Sequence, residues 1–419
     1  MGKIMKLAIG MALILIMEAC SETEPMAMDS VEKTRSGEVI LDRSLEEALQ
    51  YANDWFAQME QGTRSANREI ESVDFITTGV NTRSSDTDTL MYLVNYANNK
   101  GFALLGRHQY SRDIYAIGED GQLFMSDTVY NKGLADFMAL AVADAAQPNV
   151  RTIPIDTSQF IVPWKYSITR RVNPMLNENI SKWNQSAPFN QCCPIINGKQ
   201  GVLGCGPVAV GMLMAHYKWP KKMNEKTIPW TLIVDNNNYA AISRFLEDLA
   251  APEYLNATYR RLKDNPSMLN PDARSIAATI VVDPTFMKLG YNTDYAFRDK
   301  SFYSVMYDVF SFMKSGYVYA EPAPILMTGV GEDGGHIWVV DGYVERVRKL
   351  VISAPWEEPE EADPLLHMVW GWGGTANGYF TYFRDEKQLS QFSTDNKDCL
   401  RHYKSLSVYG RYMKVYSQE

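Results

Sequence analysis

The chain has 419 residues, 46% of them hydrophobic and 22% charged, with a formal net charge of −9. That length exceeds what one hydrophobic core usually fills, so two domains are expected, and the composition is globular rather than disordered or fibrous. A negative balance leaves no basic footprint for nucleic acid, which is set aside as a partner.

Lys3 and Lys6 precede an apolar run from Leu7 to Met17, followed by Glu18-Ala19-Cys20. This is the layout of an export signal, and eleven apolar residues (17 − 7 + 1) are too few to span a bilayer. A cysteine directly after a small residue resembles the lipid-attachment site of bacterial lipoproteins, with Cys20 as the acylated first residue. Met17 and Glu18 depart from that motif, so a plain secretory signal stays open. Ser21-Glu22-Thr23-Glu24 resembles the acidic export tag of surface lipoproteins. The location expected is the outer membrane or cell surface through a lipid anchor, otherwise the periplasm or the medium.

Residues 1–19 thus form the signal and residues 20–43 a polar tether. Leu45, Ala48, Leu49, Ala52 and Phe56 then recur at three- and four-residue spacing, which predicts an amphipathic helix. A Thr/Ser/Asp-rich loop from Thr78 to Asp88 leads into a hairpin, Leu90–Tyr96 and Phe102–Leu105, around Asn98-Asn99-Lys100-Gly101. A strand at Ile114–Ile117 and a helix over Gly133–Ala146 complete this unit. Pro154 and Pro163 bracket a linker-like segment, and the boundary is placed between residues 155 and 156.

From Val208 to Tyr217 nearly every residue is apolar or small, the mark of a helix buried on all sides, with Pro207 tolerated in its first turn. Helical stretches are expected around Ile242–Leu249 and Asp272–Val282. Short strands follow at Ile337–Val340, Lys349–Ser353, His367–Trp370 and Tyr379–Phe383, a pattern of antiparallel sheet.

Cys205 opens the buried helix, and His336 lies 131 residues later (336 − 205) in Gly334-Gly335-His336. A thiol at a helix N-terminus beside an imidazole is held as thiolate, so the two read as nucleophile and base. Five cysteines are few for an exported chain. With Cys20 and Cys205 assigned, Cys192, Cys193 and Cys399 allow at most one disulfide and are read as buried or idle thiols. His108, His216, His367 and His402 show no metal-ligand spacing and are read as structural; no metal or organic cofactor is implied.

A helix-borne cysteine ahead of a strand-borne histidine is the papain-like layout. Trp183-Asn184-Gln185, Pro188-Phe189-Asn190, Cys193-Pro194, Gly204-Cys205, Gly334-Gly335-His336, Val340-Asp341-Gly342-Tyr343, Trp370-Gly371-Trp372-Gly373-Gly374 and Asn377-Gly378-Tyr379-Phe380 together resemble the streptopain family of bacterial cysteine proteases. Tyr92-Leu93-Val94-Asn95 with Gly101-Phe102-Ala103 resembles that family's propeptide. The resemblance implies an α+β fold: a papain-like two-lobe protease, one lobe helical and one antiparallel sheet, behind a small α+β propeptide domain. Residues 44–155 would be the inhibitory propeptide and 156–419 the catalytic domain.

The activity implied is that of an endopeptidase made as a zymogen. Its partners would be protein or peptide substrates and its own propeptide, besides the membrane reached through the lipid anchor. Gln185, twenty residues before the nucleophile (205 − 185), stands where the family's oxyanion amide is found, and the resemblance gives Trp372 the task of orienting the histidine. Val369 replaces the family's asparagine, Gly206-Pro207-Val208-Ala209 replaces Val-Ala-Thr-Ala, and an insertion at residues 320–329 lengthens the approach to His336. The alternatives are a catalytically weak surface-binding protein, an acyl transferase using the same thioester, and an accessory rather than inhibitory first domain.

Overall fold

The computed structural model describes residues 42–60, 68–77, 89–108, 111–129, 131–146, 164–196, 198–260, 274–276, 282–292, 297–300, 313, 322–331, 334–350, 361–381, 405–409 and 414–415. The export signal, Cys20, Cys399, most of the polar tether and the expected 155/156 boundary lie outside these residues.

Helix α1 (Leu45–Met59) starts at Ser44, whose hydroxyl accepts from the Glu47 N–H at 3.2 Å while the Glu47 carboxylate accepts from the Ser44 N–H at 2.7 Å. This reciprocal box satisfies two of the backbone donors a helix start leaves over. Strands β1 (Ile70–Thr77), β2 (Thr89–Tyr96), β3 (Phe102–Gly106) and β4 (Ile114–Gly118) form an antiparallel meander. Helix α2 (Lys132–Ala145) is capped by Asn131, whose side-chain oxygen accepts from the Leu134 N–H at 3.1 Å.

The segment after the linker is strand β5 (Trp164–Val172), where Trp, Tyr, Ile and Val suit a pleated surface. Helix α3 (Glu178–Ser181) is one turn, and α4 (Cys205–Tyr217) is buried continuously from Gly206 to Ala215. Helix α5 (Tyr239–Ala250) packs beside α4. The helix expected over Asp272–Val282 is replaced among the described residues by a strand at Arg274–Ile276 and a helix α6 (Val282–Lys288). Pro284 explains the shift: it is tolerated in a first turn but breaks an interior, so a helix starts rather than ends there.

Strands β6 (Phe297–Lys300), β7 (Ile325–Gly331), β8 (Gly334–Leu350), β9 (Glu361–Val369), β10 (Gly378–Thr381) and β11 (Ser405–Tyr409) complete one eleven-stranded sheet. Its order is β1-β2-β3-β4-β10-β9-β8-β7-β11-β6, with β5 paired to β8. Residues 325–329 of the supposed insertion are therefore sheet, paired to β8 with Gly329 opposite His336.

The first unit and the rest of the chain share this sheet through β4 and β10, where Ile117 faces Tyr379 and Ala116 faces Phe380. One face packs on α2 through Leu134, Phe137 and Met138 against Trp338, Trp370 and Phe380. The other packs on α1 through Trp55 and Phe56 near Val344, Leu365 and Tyr379, and on α4 through Val208 and Met212 near Ile337, Val339 and Val369. Two helices of the first unit thus grip opposite faces of the joint sheet.

Candidate active site

Cys205 is the first residue of α4, after the cap Gly204, and it is half-buried against the core that contains Ile337, Val339 and Val369. Burial of α4 on all sides fixes its axis, and the positive end of its dipole favours negative charge at the sulfur. Cys192, Cys193 and Cys205 are not joined in disulfides.

Gln185 is 2% exposed, and its backbone carbonyl accepts from the Leu203 N–H at 2.8 Å, two residues before Cys205. Its amide Nε2 finds no acceptor among the described residues. A buried donor without a partner costs about 1–3 kcal/mol, a cost native proteins carry where the donor has another use.

His336 enters on β8. Strand alternation puts it, with Trp338 and Val340, on the α2 face, while Ile337 and Val339 point to α4. The ring is 5% exposed, and its Nε2 lies 3.1 Å from the Trp370 carbonyl oxygen. A carbonyl only accepts, so this contact calls for a proton on Nε2. Trp338 and Trp370 stack on the imidazole at ring-centroid distances of 6.0 and 6.3 Å.

The turn from Trp370 to Gly374 gathers these parts. Trp370 holds the imidazole, and a Cβ on Gly371 would lie 3.3 Å from Val208 on α4. Trp372 bridges to Asn184, and the Gly373 N–H donates to the Trp183 carbonyl at 3.0 Å. Gly371 and Gly373 have φ of +76° and +72°, the left-handed region in which side chains are strained, so their repetition in the motif has a backbone cause. Asn377 closes the turn, accepting from the Trp370 N–H and donating to the Ser181 carbonyl. Trp372 is half-buried at the edge of the α2-face core. Beside the Trp372 that the family resemblance points to, Trp338 and Trp370 also stack on the imidazole, and the hydrogen bond at Nε2 is to a backbone carbonyl, which residue identity does not encode.

The first unit reaches the same place. A Cβ on Gly133 would fall 2.8 Å from His336 Cδ2 and 2.7 Å from the Trp370 ring, so the start of α2 lies directly on the imidazole and its indole partner. Asn131, 2% exposed, caps the helix at this spot. The signal was a glycine in a helical first turn, where alanine is the better former. A second junction is ionic: Arg112 of the first unit lies 3.1 Å from Asp363, which also pairs with the buried Arg346. Near the β4/β10 seam, burial raises the Glu119 carboxyl above its ordinary pKa, opposed by Arg171, His367 and Arg68.

Residues 183–380 match the Peptidase C10 family, and residues 31–143 match the Spi protease inhibitor family. Among curated proteins, the thiol protease/hemagglutinin PrtT of Porphyromonas gingivalis is 24% identical over 368 residues, covering 80% of this chain and 38% of PrtT. Streptopain of Streptococcus pyogenes is 23% identical over 356 residues, covering 77% of this chain and 80% of streptopain. The chain thus spans little more than a third of PrtT and most of streptopain. Among solved structures, Prevotella intermedia prointerpain A aligns with a TM-score of 0.49 at 15% identity, over 80% of this chain and 98% of that one. Active interpain A of the same organism aligns with a TM-score of 0.38 at 17% identity, over 58% and 96%.

Proposed function

We propose that the chain, whose residues 183–380 match the Peptidase C10 family and residues 31–143 the Spi protease inhibitor family, is a streptopain-like cysteine endopeptidase carrying its own inhibitor-type domain, with Cys205 as nucleophile, His336 as acid–base and Gln185 as oxyanion donor. The observation that carries this reading is the buried, unpartnered Gln185 amide, tied through Leu203 to the start of the nucleophile helix.

In the forward step the Cys205 thiol gives its proton to Nδ1 of His336, and the thiolate attacks the scissile carbonyl carbon. The negative oxygen of the tetrahedral intermediate accepts from Gln185 Nε2 and from the Cys205 N–H. The imidazolium protonates the leaving amine as the C–N bond breaks, leaving a thioester. His336 then takes a proton from water, whose oxygen attacks the thioester, and the returning proton regenerates the thiol as the carboxylic acid leaves. Trp338 and Trp370 keep the imidazolium from water on its faces, and Trp372 aligns the turn that carries Trp370 against Asn184, next to Gln185.

In this reading residues 44–155 are the inhibitory propeptide and 156–419 the catalytic domain. The start of α2 presses on His336 and Trp370, so α2 must leave before the imidazole can serve an acyl group. Release requires a cut within residues 147–163. Export and lipidation at Cys20 belong to the same proposal: a Cys20→Ser chain is expected in the aqueous phase of a detergent partition, and the natural chain in the detergent phase.

A thiol-directed epoxide with a peptide recognition element tests the assignment. Covalent mass on the peptide containing Cys205, lost in His336→Ala and kept in Gln185→Ala, is the expected outcome. Labelling confined to Cys192 or Cys193 would contradict it.

A further inference from the structure

One motif plays no part in the chemistry above: Val340-Asp341-Gly342-Tyr343 on β8. The β8/β9 register pairs Val340 with Met368 and Gly342 with His367, so Asp341 is the extra residue of a β-bulge. Strand alternation from Ile337 and Val339 carries Asp341 onto the α4 face, and the bulge shifts the alternation after it, so that Tyr343 returns to the α2 face. Asp341 is 0% exposed. Its Oδ1 lies 2.6 Å from Nδ1 of His367 on β9, its Oδ2 accepts from the Leu176 N–H at 3.0 Å, and its backbone carbonyl accepts from the Met175 N–H at 3.0 Å. His216, on the last turn of α4, shares the node: it hydrogen-bonds the Met175 backbone and feels the Asp341 charge, while burial lowers its pKa. Gly342 lets the strands close, since a Cβ there would lie 2.9 Å from His367 Cβ.

Each element reaching the node carries part of the active site at its other end. Helix α4 runs from Cys205 to His216, a rise of roughly 16 Å at about 1.5 Å per residue. Strand β8 runs from His336 to Asp341, roughly 16 Å at about 3.3 Å per residue. The two lie side by side and are of equal span. Residues 175–176 lead through α3 to Gln185, and His367 stands three residues before Trp370.

Resting on the assignment of Cys205, His336 and Gln185 above, we infer that Asp341 is a positioning residue: its buried carboxylate stops α4, the 175–185 segment and β9 from sliding along β8, and so sets the alignment of sulfur, imidazole and oxyanion donor. A buried carboxylate held by one backbone N–H and one histidine, on a residue whose own carbonyl takes a second backbone N–H, is costly to move, which suits it to hold a register.

The test uses the full chain taken to constant peptidase activity, with active sites counted by irreversible thiol labelling. Asp341→Asn keeps an acceptor for the Leu176 N–H and removes the charge; His367→Gln removes the partner. A misplacement of about 1 Å costs on the order of 100-fold in rate, so turnover per labelled site is expected to fall about 10- to 100-fold, with KM within about twofold. The acid limb of the kcat/KM profile should also move, since Asp341, His367, His216, Glu119, Arg171 and Tyr379 face one another at this node. A purely structural role would lower the unfolding midpoint while turnover per labelled site and the pH profile stayed as in the natural chain, and that result overturns the inference. Should Asp341→Asn yield no folded protein, His367→Gln decides by the same criteria. A natural chain that turns over peptide without labelling at Cys205 would instead remove the assignment on which the inference rests, and the inference with it.

Discussion

Replacing Gly133 by alanine adds one methyl group at the contact between α2 and the imidazole. The added carbon would sit 2.7 Å from Trp370 Cζ3 and 2.8 Å from His336 Cδ2, about 1 Å inside ordinary carbon contact. Neither neighbour is the loose end of a flexible chain: His336 is 5% exposed and Trp370 1%. Overpacking of this kind costs about 1–3 kcal/mol, which corresponds to about a 5- to 150-fold weaker seating of α2 at about 1.4 kcal/mol per decade. Alanine is also the better helix former by about 1 kcal/mol, so α2 itself is not weakened, and that gain is the same with the helix seated or lifted. The assay is the initial rate of hydrolysis of a small fluorogenic peptide by intact chain, before any cut product appears on a gel. The Gly133→Ala chain should start about tenfold faster or more and show a shorter lag to full activity. Unchanged basal rate and lag, in a chain with native circular dichroism, would refute the idea that α2 inhibits through this contact.

Gln185→Ala should lower kcat by about 100- to 1000-fold, the usual loss for one oxyanion donor, while the rate of Cys205 alkylation by a small reagent stays within a fewfold; matching losses in both would mark a folding defect. Asp363→Asn leaves the buried Arg346 without its charge and frees Arg112, and removal of one partner of a buried pair costs about 3–5 kcal/mol, to be read from the urea midpoint. Glu119 has its carboxyl pKa raised by burial, so the folded chain holds that proton more tightly than the unfolded one. Its contribution is present below the unfolded pKa of about 4.3 and lost as pH rises through the folded value. Glu119→Gln should flatten that part of the stability–pH curve, with unfolding followed at pH 4 to 7; a curve unchanged in shape would contradict the placement of Glu119.

Features that depend on local pattern were legible in the sequence. The 3.6-residue spacing from Leu45 announced α1, the uniformly apolar run after Cys205 announced a helix buried on all sides, and Asn99-Lys100-Gly101 announced the β2/β3 hairpin. Features that depend on pairing across the chain were not. Strand β5 lies beyond the linker-like segment that ends at Pro163 and carries Lys165, Arg170 and Arg171, so local pattern marks no element there until β8 supplies its partner. Residues 325–329 look like an insertion for the same reason, since proline-flanked apolar residues become a strand only beside β8 and β11.

At the site, the proposed nucleophile and base, Cys205 and His336, could be picked out by kind and position, and the proposed oxyanion donor Gln185 only through the family resemblance. What holds them could not. The imidazole rests on a backbone carbonyl of Trp370, the contact of α2 with the imidazole is made by a residue without a side chain, and Asp341 meets His367 only once β8 and β9 are in register.

The most direct test of the account is the intact mass of the full-length chain over several hours at neutral pH in reductant, natural sequence beside Cys205→Ala, with peptidase activity followed in parallel. The natural chain should shorten to a product beginning within residues 147–163 and gain activity as it does so, while Cys205→Ala remains whole and silent. Activity that rises in Cys205→Ala as it does in the natural chain would contradict the claim that this thiol carries the reaction.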